Sequence, residues 1–150
     1  MRRSSEVYRR SLERRKRHDE AARLRDAAPG LEHLAFEIVE RRASLPGHEV
    51  HHKRFVVVDR APAVFEFGCS DRACGDIHEL TDAILPHLRR REAAFSVTSI
   101  CVGESRGAPC RYELTVNATA RYAESVAPPS GTTSKVGKGR KASRPHRAAS

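Results

Sequence analysis

Two short loops, Cys69-Ser70-Asp71-Arg72-Ala73-Cys74 and the stretch from Cys101 to Cys110, contain all four cysteines of this 150-residue chain. Four residues separate the first pair of cysteines and eight separate the second. Two loops that each present two thiolates can together complete a tetrahedral metal site. The spacing therefore predicts a structural zinc site with Cys69, Cys74, Cys101 and Cys110 as its ligands.

Four clustered cysteines are also compatible with two disulfides or a redox switch, with an iron–sulfur centre, or with unliganded buried thiols. Zinc is favoured because the chain opens on Met1-Arg2-Arg3-Ser4-Ser5, without the apolar segment of a signal peptide. It also has no apolar run of the length that spans a bilayer. We therefore expect a cytoplasmic protein without a membrane partner, whose thiols stay reduced.

Histidines could replace a cysteine that lies out of reach. His78 and His87 are the substitutes to consider, followed by His51-His52. A histidine on an amphipathic helix is, however, more often simply exposed or packed.

The positive charge lies at the two ends of the chain. Lys and Arg outnumber Asp and Glu by ten to five in residues 1–27 and by six to none in residues 125–150, whereas residues 28–124 contain twelve against fourteen. Basic arms of this kind attract polyanions without specificity for sequence. We predict a basic N-terminal helix over residues 1–28, a zinc-binding α+β domain over residues 29–124, and a disordered basic tail over residues 125–150.

The first segment has the pattern of an exposed helix. No Pro or Gly occurs from Ser5 to Ala27, and Pro29-Gly30 provides a stop. Its apolar stripe is thin, so we expect weak docking at most. The run Arg14-Arg15-Lys16-Arg17 could contact nucleic acid, although the same pattern also fits a solvated helix.

The middle segment predicts a small antiparallel sheet. Residues 31–45 fit both a helical and an alternating period, and the Phe, Ile and Val content favours a strand. Turn residues then lead into a second strand, with which it would form a hairpin. The predicted strands after the first are the Phe55-Val56-Val57-Val58 run, Val64–Phe67 leading to Cys69, Phe95–Ile100 leading to Cys101, and Tyr112–Ala118 leaving Cys110.

One helix is predicted between the two cysteine pairs. Asp76 and Glu79 have the spacing of a capping box, and apolar residues from Ile77 to Leu88 recur at helical intervals. Pro86 should kink this helix or end it near Leu85, because proline lacks the N–H donor. The sequence thus predicts an α+β domain with one packed helix.

The pattern Phe67-Gly68-Cys69-x4-Cys74, a short helix, and then Cys101-x8-Cys110-x-Tyr112-x-Leu114 resembles a zinc ribbon widened by a helical insertion. It is also similar to small bacterial four-cysteine proteins of uncharacterised function, over about residues 31–124. The resemblance implies that the four cysteines are ligands. It also implies a module that docks nucleic acid or protein.

Signatures of catalysis are absent from the sequence: it has no P-loop, no zinc-deaminase pattern and no Cys-x-x-Cys pair. We therefore expect a non-enzymatic protein that binds RNA or DNA through phosphates, or alternatively docks a protein partner through its sheet edge or first helix. Phe65 and Phe67 could stack bases, but core packing is the more ordinary role for them. The predicted nucleic-acid contacts are Arg14, Arg15, Lys16, Arg17, Lys135, Lys138, Arg140, Lys141, Arg144 and Arg147.

Overall fold

The computed structural model describes residues 2–42 and 47–124, with side chains from residue 5 onward. It confirms an α+β fold with an N-terminal helix. The elements in chain order are α1 (Arg2–Glu20), α2 (Leu24–Ala27), β1 (Leu31–Arg42), β2 (Glu49–Val56), β3 (Glu66–Gly68), β4 (Ile77–Glu79), α3 (Thr81–Arg89), β5 (Ala94–Ile100), β6 (Glu104–Ser105), β7 (Ala108–Pro109) and β8 (Tyr112–Tyr122).

Four strands form one antiparallel sheet in the order β2-β1-β8-β5. The predicted strand over residues 31–45 is confirmed as far as Arg42, and so is its hairpin with the next strand, which begins earlier than expected, at Glu49. The sheet has two ends along the direction of its strands. At one end, which we call the cysteine end, β1 and β5 finish and β8 begins. At the opposite end, which we call the apolar end, β1 begins and β8 finishes. Residues 43–45 and the basic tail lie outside the described residues.

Alternation along the two central strands produces one buried face. Leu34, Phe36 and Ile38 of β1 are at most 2% exposed, and they share this face with alternate residues of β8. This face of β8 includes several apolar side chains. Those fully or largely buried are Leu114, Val116, Ala118 and Ala120.

The buried face is covered by α3 and by the segment that leads into β3. Ile84 and Leu88 of α3 belong to the core. The ring of Phe36 meets Phe65 and Phe67 edge-on, with ring centroids 5.6 Å apart in both cases. Core packing of Phe65 and Phe67 is thus confirmed, and their buried rings are not available for base stacking.

The predicted start of the central helix is wrong. Ile77–Glu79 forms strand β4, in which His78 pairs with Phe67, and the helix begins at Thr81. The Glu79 carboxylate accepts the backbone N–H of Thr81 at 2.9 Å, so it caps the helix from outside. Asp76 instead uses its carbonyl to accept the N–H of Cys69 at 2.8 Å. Pairing with β3 thus overrides the capping-box pattern.

Of the two predicted effects of Pro86, a kink or an end near Leu85, the end is wrong, because α3 continues through Pro86 to Arg89. The kink stays a prediction. The donor that proline lacks would have served the carbonyl of Asp82, four residues earlier. Asp82 is exposed in the first helical turn, where water can take over that carbonyl.

The N-terminal segment is broken rather than continuous to Ala27. Between α1 and α2 the backbone pairs with the loop after β2: the Leu24 N–H donates to the Ala61 carbonyl at 2.9 Å, and the Ala63 N–H donates to Ala22 at 2.8 Å. Leu24 is fully buried in the core. The division into residues 1–28, 29–124 and 125–150 stays a prediction.

Candidate metal centre

Three of the cysteines lie within two residues of a strand end, and Cys74 lies in the turn between two strands. Cys69 follows β3, and Cys74 closes the turn that leads to β4. Cys101 follows β5, and Cys110 precedes β8, so the loop between them joins two paired strands of the sheet. The strand ends therefore fix where each loop begins and finishes.

The four sulfurs converge on one point. All four Sγ atoms lie within 4.8 Å of one another, and the Cys69–Cys110 and Cys74–Cys101 pairs are each separated by 3.5 Å. Zn–S bonds of about 2.3 Å in a tetrahedron place sulfurs about 3.8 Å apart, so the cluster has the size that such an ion requires. The cysteines form no disulfide. This arrangement could hold a metal ion, as the spacing predicted.

Backbone hydrogen bonds hold both loops in place. The Cys101 N–H donates to the Tyr112 carbonyl at 2.8 Å, which extends the β5–β8 pairing beyond the strands. The Cys110 N–H donates to Gly103 at 2.9 Å and closes its own loop. In the other loop the Cys74 N–H donates to Asp71 at 3.0 Å. The sulfur positions therefore follow from the backbone of the two loops.

Gly103 permits the two loops to approach each other, a role that the sequence pattern did not reveal. A Cβ at this position would lie 2.6 Å from Cys74 Sγ and 2.8 Å from Asp76 Cβ. Only glycine fits at such a distance without displacing the facing loop. The one sequence signal for this role was a glycine two residues after Cys101.

Burial opposes ionisation of the thiols when no metal is bound. It raises the pKa of the Cys69 thiol strongly and raises the pKa of Cys101 to about 11. Neighbouring cysteines add to the effect at Cys69, because thiolates repel one another. A bound divalent cation would reverse this balance, since it requires and stabilises the thiolate form.

The histidines do not join the cluster, which among the described residues consists of cysteines alone. His78 is buried, its Nδ1 lies 3.0 Å from Ser99 Oγ, and burial lowers its pKa against the opposing effect of Asp76. His87 stacks on Phe95 with ring centroids 4.5 Å apart and contacts Glu92. His51-His52 lies on the exposed strand β2.

Two of the four predicted contacts on α1 face the protein. Arg14 Nε lies 3.2 Å and Arg17 Nη1 lies 3.1 Å from the carboxylate of Glu66. Arg15 is exposed, and Lys16 lies 3.8 Å from Glu20 on the solvent side. The six predicted tail contacts, Lys135, Lys138, Arg140, Lys141, Arg144 and Arg147, lie outside the described residues.

Glu66 is the residue that attaches α1, and sequence reasoning missed it. Its side chain is 4% exposed and also lies 3.1 Å from His18 Nε2. Burial alone would raise the pKa of Glu66, but hydrogen bonds from His18 and Arg14 outweigh burial and lower it. The signal in the sequence was the position of this carboxylate between two phenylalanines that are buried. A carboxylate that is buried with them needs cationic partners.

A groove of about 850 Å³ separates α1 from the cysteine loops. Its walls include Cys74 and Gly103, next to Asp76, Glu79 and Glu104. The side of the cysteine loops that faces α1 is therefore rich in carboxylates.

No helix among the described residues combines the length and the apolar character needed to cross a membrane. The chain matches no protein-family model, no curated protein and no solved structure. The resemblance to zinc ribbons consequently stays a prediction. What stands is an α+β fold that brings four cysteines together at one end of its sheet.

Proposed function

We propose that this protein is a zinc-stabilised module that binds nucleic acid without sequence specificity and has no catalytic activity. The observation that supports the zinc is the convergence of four Sγ atoms within 4.8 Å. Four thiolates leave no coordination position for water or substrate, which is typical of structural sites rather than catalytic ones. Four such thiols need a reducing compartment, so the proposal places the protein in the cytoplasm.

The nucleic-acid part of the proposal is supported by the distribution of charge. Residues 125–150 contain six Lys or Arg and no Asp or Glu. If all six tail cations contact phosphates of a duplex, log K should fall with log salt at a slope of about −5, from about −0.9 per phosphate. Such contacts give affinity for RNA and DNA alike, because they involve no base edges.

A salt titration of binding tests this proposal directly. Fluorescence anisotropy with a labelled duplex should give the steep slope for the full chain, and replacement of the six tail cations by Gln should flatten it. The matched control changes Arg140, Arg144 and Arg147 to Lys, which keeps the charge and should keep the slope. An equal slope for the Gln variant and the full chain would exclude the tail as the binding arm.

The metal part has its own test. Metal analysis of the purified protein should find one zinc per chain, and a chelator should lower its thermal stability. Protein that is free of metal, and whose cysteines are oxidised and reduced reversibly, would instead identify a redox switch.

A second candidate, a protein-docking module, is favoured by exposed apolar side chains. Phe55 on the edge strand β2 is 70% exposed, and Val57 just beyond it is 63% exposed. An edge strand with such side chains can pair with a partner. This candidate predicts a pull-down that survives nuclease and high salt.

A further inference from the structure

We propose that the cysteine end carries a phosphate-binding surface of its own, formed by four arginines and suited to the backbone of a nucleic acid. This inference rests on the proposed function and adds a site separate from the tail and from α1. The members of this arginine surface are Arg42, Arg72, Arg106 and Arg111.

The two cysteine loops bring the arginines together. Arg72 lies between Cys69 and Cys74, Arg106 lies in the loop that follows Cys101, and Arg111 directly follows Cys110. Because the four sulfurs meet within 4.8 Å, the loops that carry these arginines lie side by side. Arg42 joins them from β1, where it pairs with Tyr112 and lies over its ring at 5.9 Å.

Asp71 marks the centre of the arrangement. Its carboxylate accepts the Ala73 N–H at 2.9 Å within its own loop and is also hydrogen-bonded to Ser105 in the facing loop. The charges of Arg42 and Arg106 also act on this carboxylate, so both guanidinium groups lie near it. They come from different elements, and Arg72 and Arg111 add two further positive charges at the cysteine end.

The arginine surface has cations that the protein does not use internally. Arg72, Arg106 and Arg111 are exposed, and none of them forms an ion pair within 4.0 Å anywhere in the described part of the chain. Arg14 and Arg17 of α1 differ, since both bond Glu66. A guanidinium with free donors is well matched to phosphate oxygens, which it can bind in bidentate fashion.

The backbone at two of these positions is unusual for arginine. Arg106 has φ 51° and Arg111 has φ 53°, in the left-handed region that glycine and asparagine adopt more readily. At Arg106 this conformation belongs to the two-residue turn Arg106-Gly107 between β6 and β7, so the hairpin fixes where this arginine is displayed. Both arginines border the segment that ends at Cys110, so their positions are tied to the cluster.

Charge is segregated between the two sides of the cysteine loops. The carboxylates Asp76 and Glu104 line the groove that faces α1, and the four arginines are absent from the residues that line it. The cysteine loops therefore present carboxylates in the groove that faces α1 and arginines outside that groove. A polyanion would approach from the arginine side, where the contacts position a backbone without reading bases.

The test replaces Arg106 and Arg111 by Asn in the full chain. Asparagine removes the charge while tolerating the left-handed backbone. With a labelled single-stranded oligonucleotide between about 50 and 200 mM salt, the binding slope should become less negative by about 1.4, from about 0.7 per phosphate. The matched control replaces Arg60 and Arg89, exposed residues on other elements, by Asn and should leave the slope unchanged.

Metal content and melting temperature equal to those of the unsubstituted protein establish that the variant is folded. If the Asn variant loses metal, replacing Arg42 and Arg72 by Gln makes the same test at ordinary backbone positions. Equal slopes for the substituted and control variants, with binding by the unsubstituted protein intact, would overturn the arginine surface while leaving the tail as the binding arm. Absence of binding by the unsubstituted protein would remove both proposals.

Discussion

The two ends of the sheet are stabilised by different means. At the apolar end, Leu31 and Leu34 of β1 lie opposite Tyr122 and Ala120 of β8, and Leu24 of α2 is buried in the same core. At the cysteine end, the corresponding positions of the buried face are Glu40, Leu114 and Ser99, followed by the cysteines. Apolar area buried at one end is thus replaced by polar and sulfur atoms at the other.

This difference is the reason why we expect the cysteine end to depend on a bound metal. Glu40 is 1% exposed, and burial raises its pKa against the opposing effects of His52 and the Ser70 backbone. His78 is 4% exposed. Buried polar groups of this kind contribute little stability by themselves, whereas a structural zinc supplies about 10–16 kcal/mol. We therefore infer that metal binding substitutes for a hydrophobic core at this end.

Removal of the metal should have the largest effect on the molecule. Replacing Cys110 by Ser, or adding a chelator, should unfold the domain, because zinc binding is comparable with the about 5–15 kcal/mol of a whole domain. Circular dichroism melts with and without added zinc measure the change. Replacing the exposed Ser70 by Ala in the same region is the control and should leave the melt as it is.

An unchanged melting temperature after chelation would contradict the proposed difference between the two ends of the sheet, because both ends would then be stable without metal. Hydrogen exchange would show which end unfolds first. We expect protection to disappear at Cys101 and Cys110 before it disappears at Ala118.

Truncation of the apolar core should cost less than metal loss but more than a substitution of Gly103. Phe36→Ala should destabilise the domain by about 3–5 kcal/mol, because Phe36 is 1% exposed and packs against Phe65 and Phe67. Urea unfolding measures this free energy, and the folded fraction should keep its metal. Phe55→Ala, at a position 70% exposed on the same sheet, should change stability by no more than about 0.5 kcal/mol. Similar losses for the two variants would contradict the placement of the core.

A smaller change tests how closely the cysteine loops approach. Gly103→Ala should cost about 1–3 kcal/mol and weaken metal binding, because its Cβ would lie 2.6 Å from Cys74 Sγ. Gly68→Ala is the matched control, since nothing lies within 4 Å of a Cβ there, one residue before Cys69. Competition with a chromophoric chelator measures the metal affinity of both variants. Equal affinities would show that the loops have room to separate.

The structure was easiest to predict from the sequence where one period of apolar residues dominates a segment. Alternation along Tyr112–Tyr122 and the positions of Cys69, Cys101 and Cys110 beside predicted strands made the sheet and the convergence of sulfurs predictable. Local patterns misled where a long-range contact was stronger. Asp76 and Glu79 satisfy a capping box, yet pairing between β3 and β4 uses that segment as a strand.

Long-range charge pairing could not be predicted in the same way. The run Arg14-Arg15-Lys16-Arg17 has the composition of a nucleic-acid arm, and nothing local shows that two of its members bond Glu66, 52 and 49 residues away. Likewise, the left-handed backbone of Arg106 is a property of the folded loop. Metal binding and nucleic-acid binding both stay proposals, because neither follows from the fold.

The attachment of α1 through Glu66 should give the smallest effect. Glu66→Gln should cost about 1 kcal/mol at pH 7, because the amide keeps one acceptor for Arg14 but loses the charge. The folded-state pKa of Glu66 is lowered, so its contribution is present above the unfolded value of about 4.3 and is lost as pH falls through the folded value. Urea unfolding of the original and Gln proteins should therefore differ at neutral pH and converge in acid. Glu20→Gln, on the solvent side of α1, is the control, and its free energy of unfolding should show no such convergence with the original protein. A difference in unfolding free energy for Glu66→Gln that persists in acid would exclude the carboxylate charge as the cause.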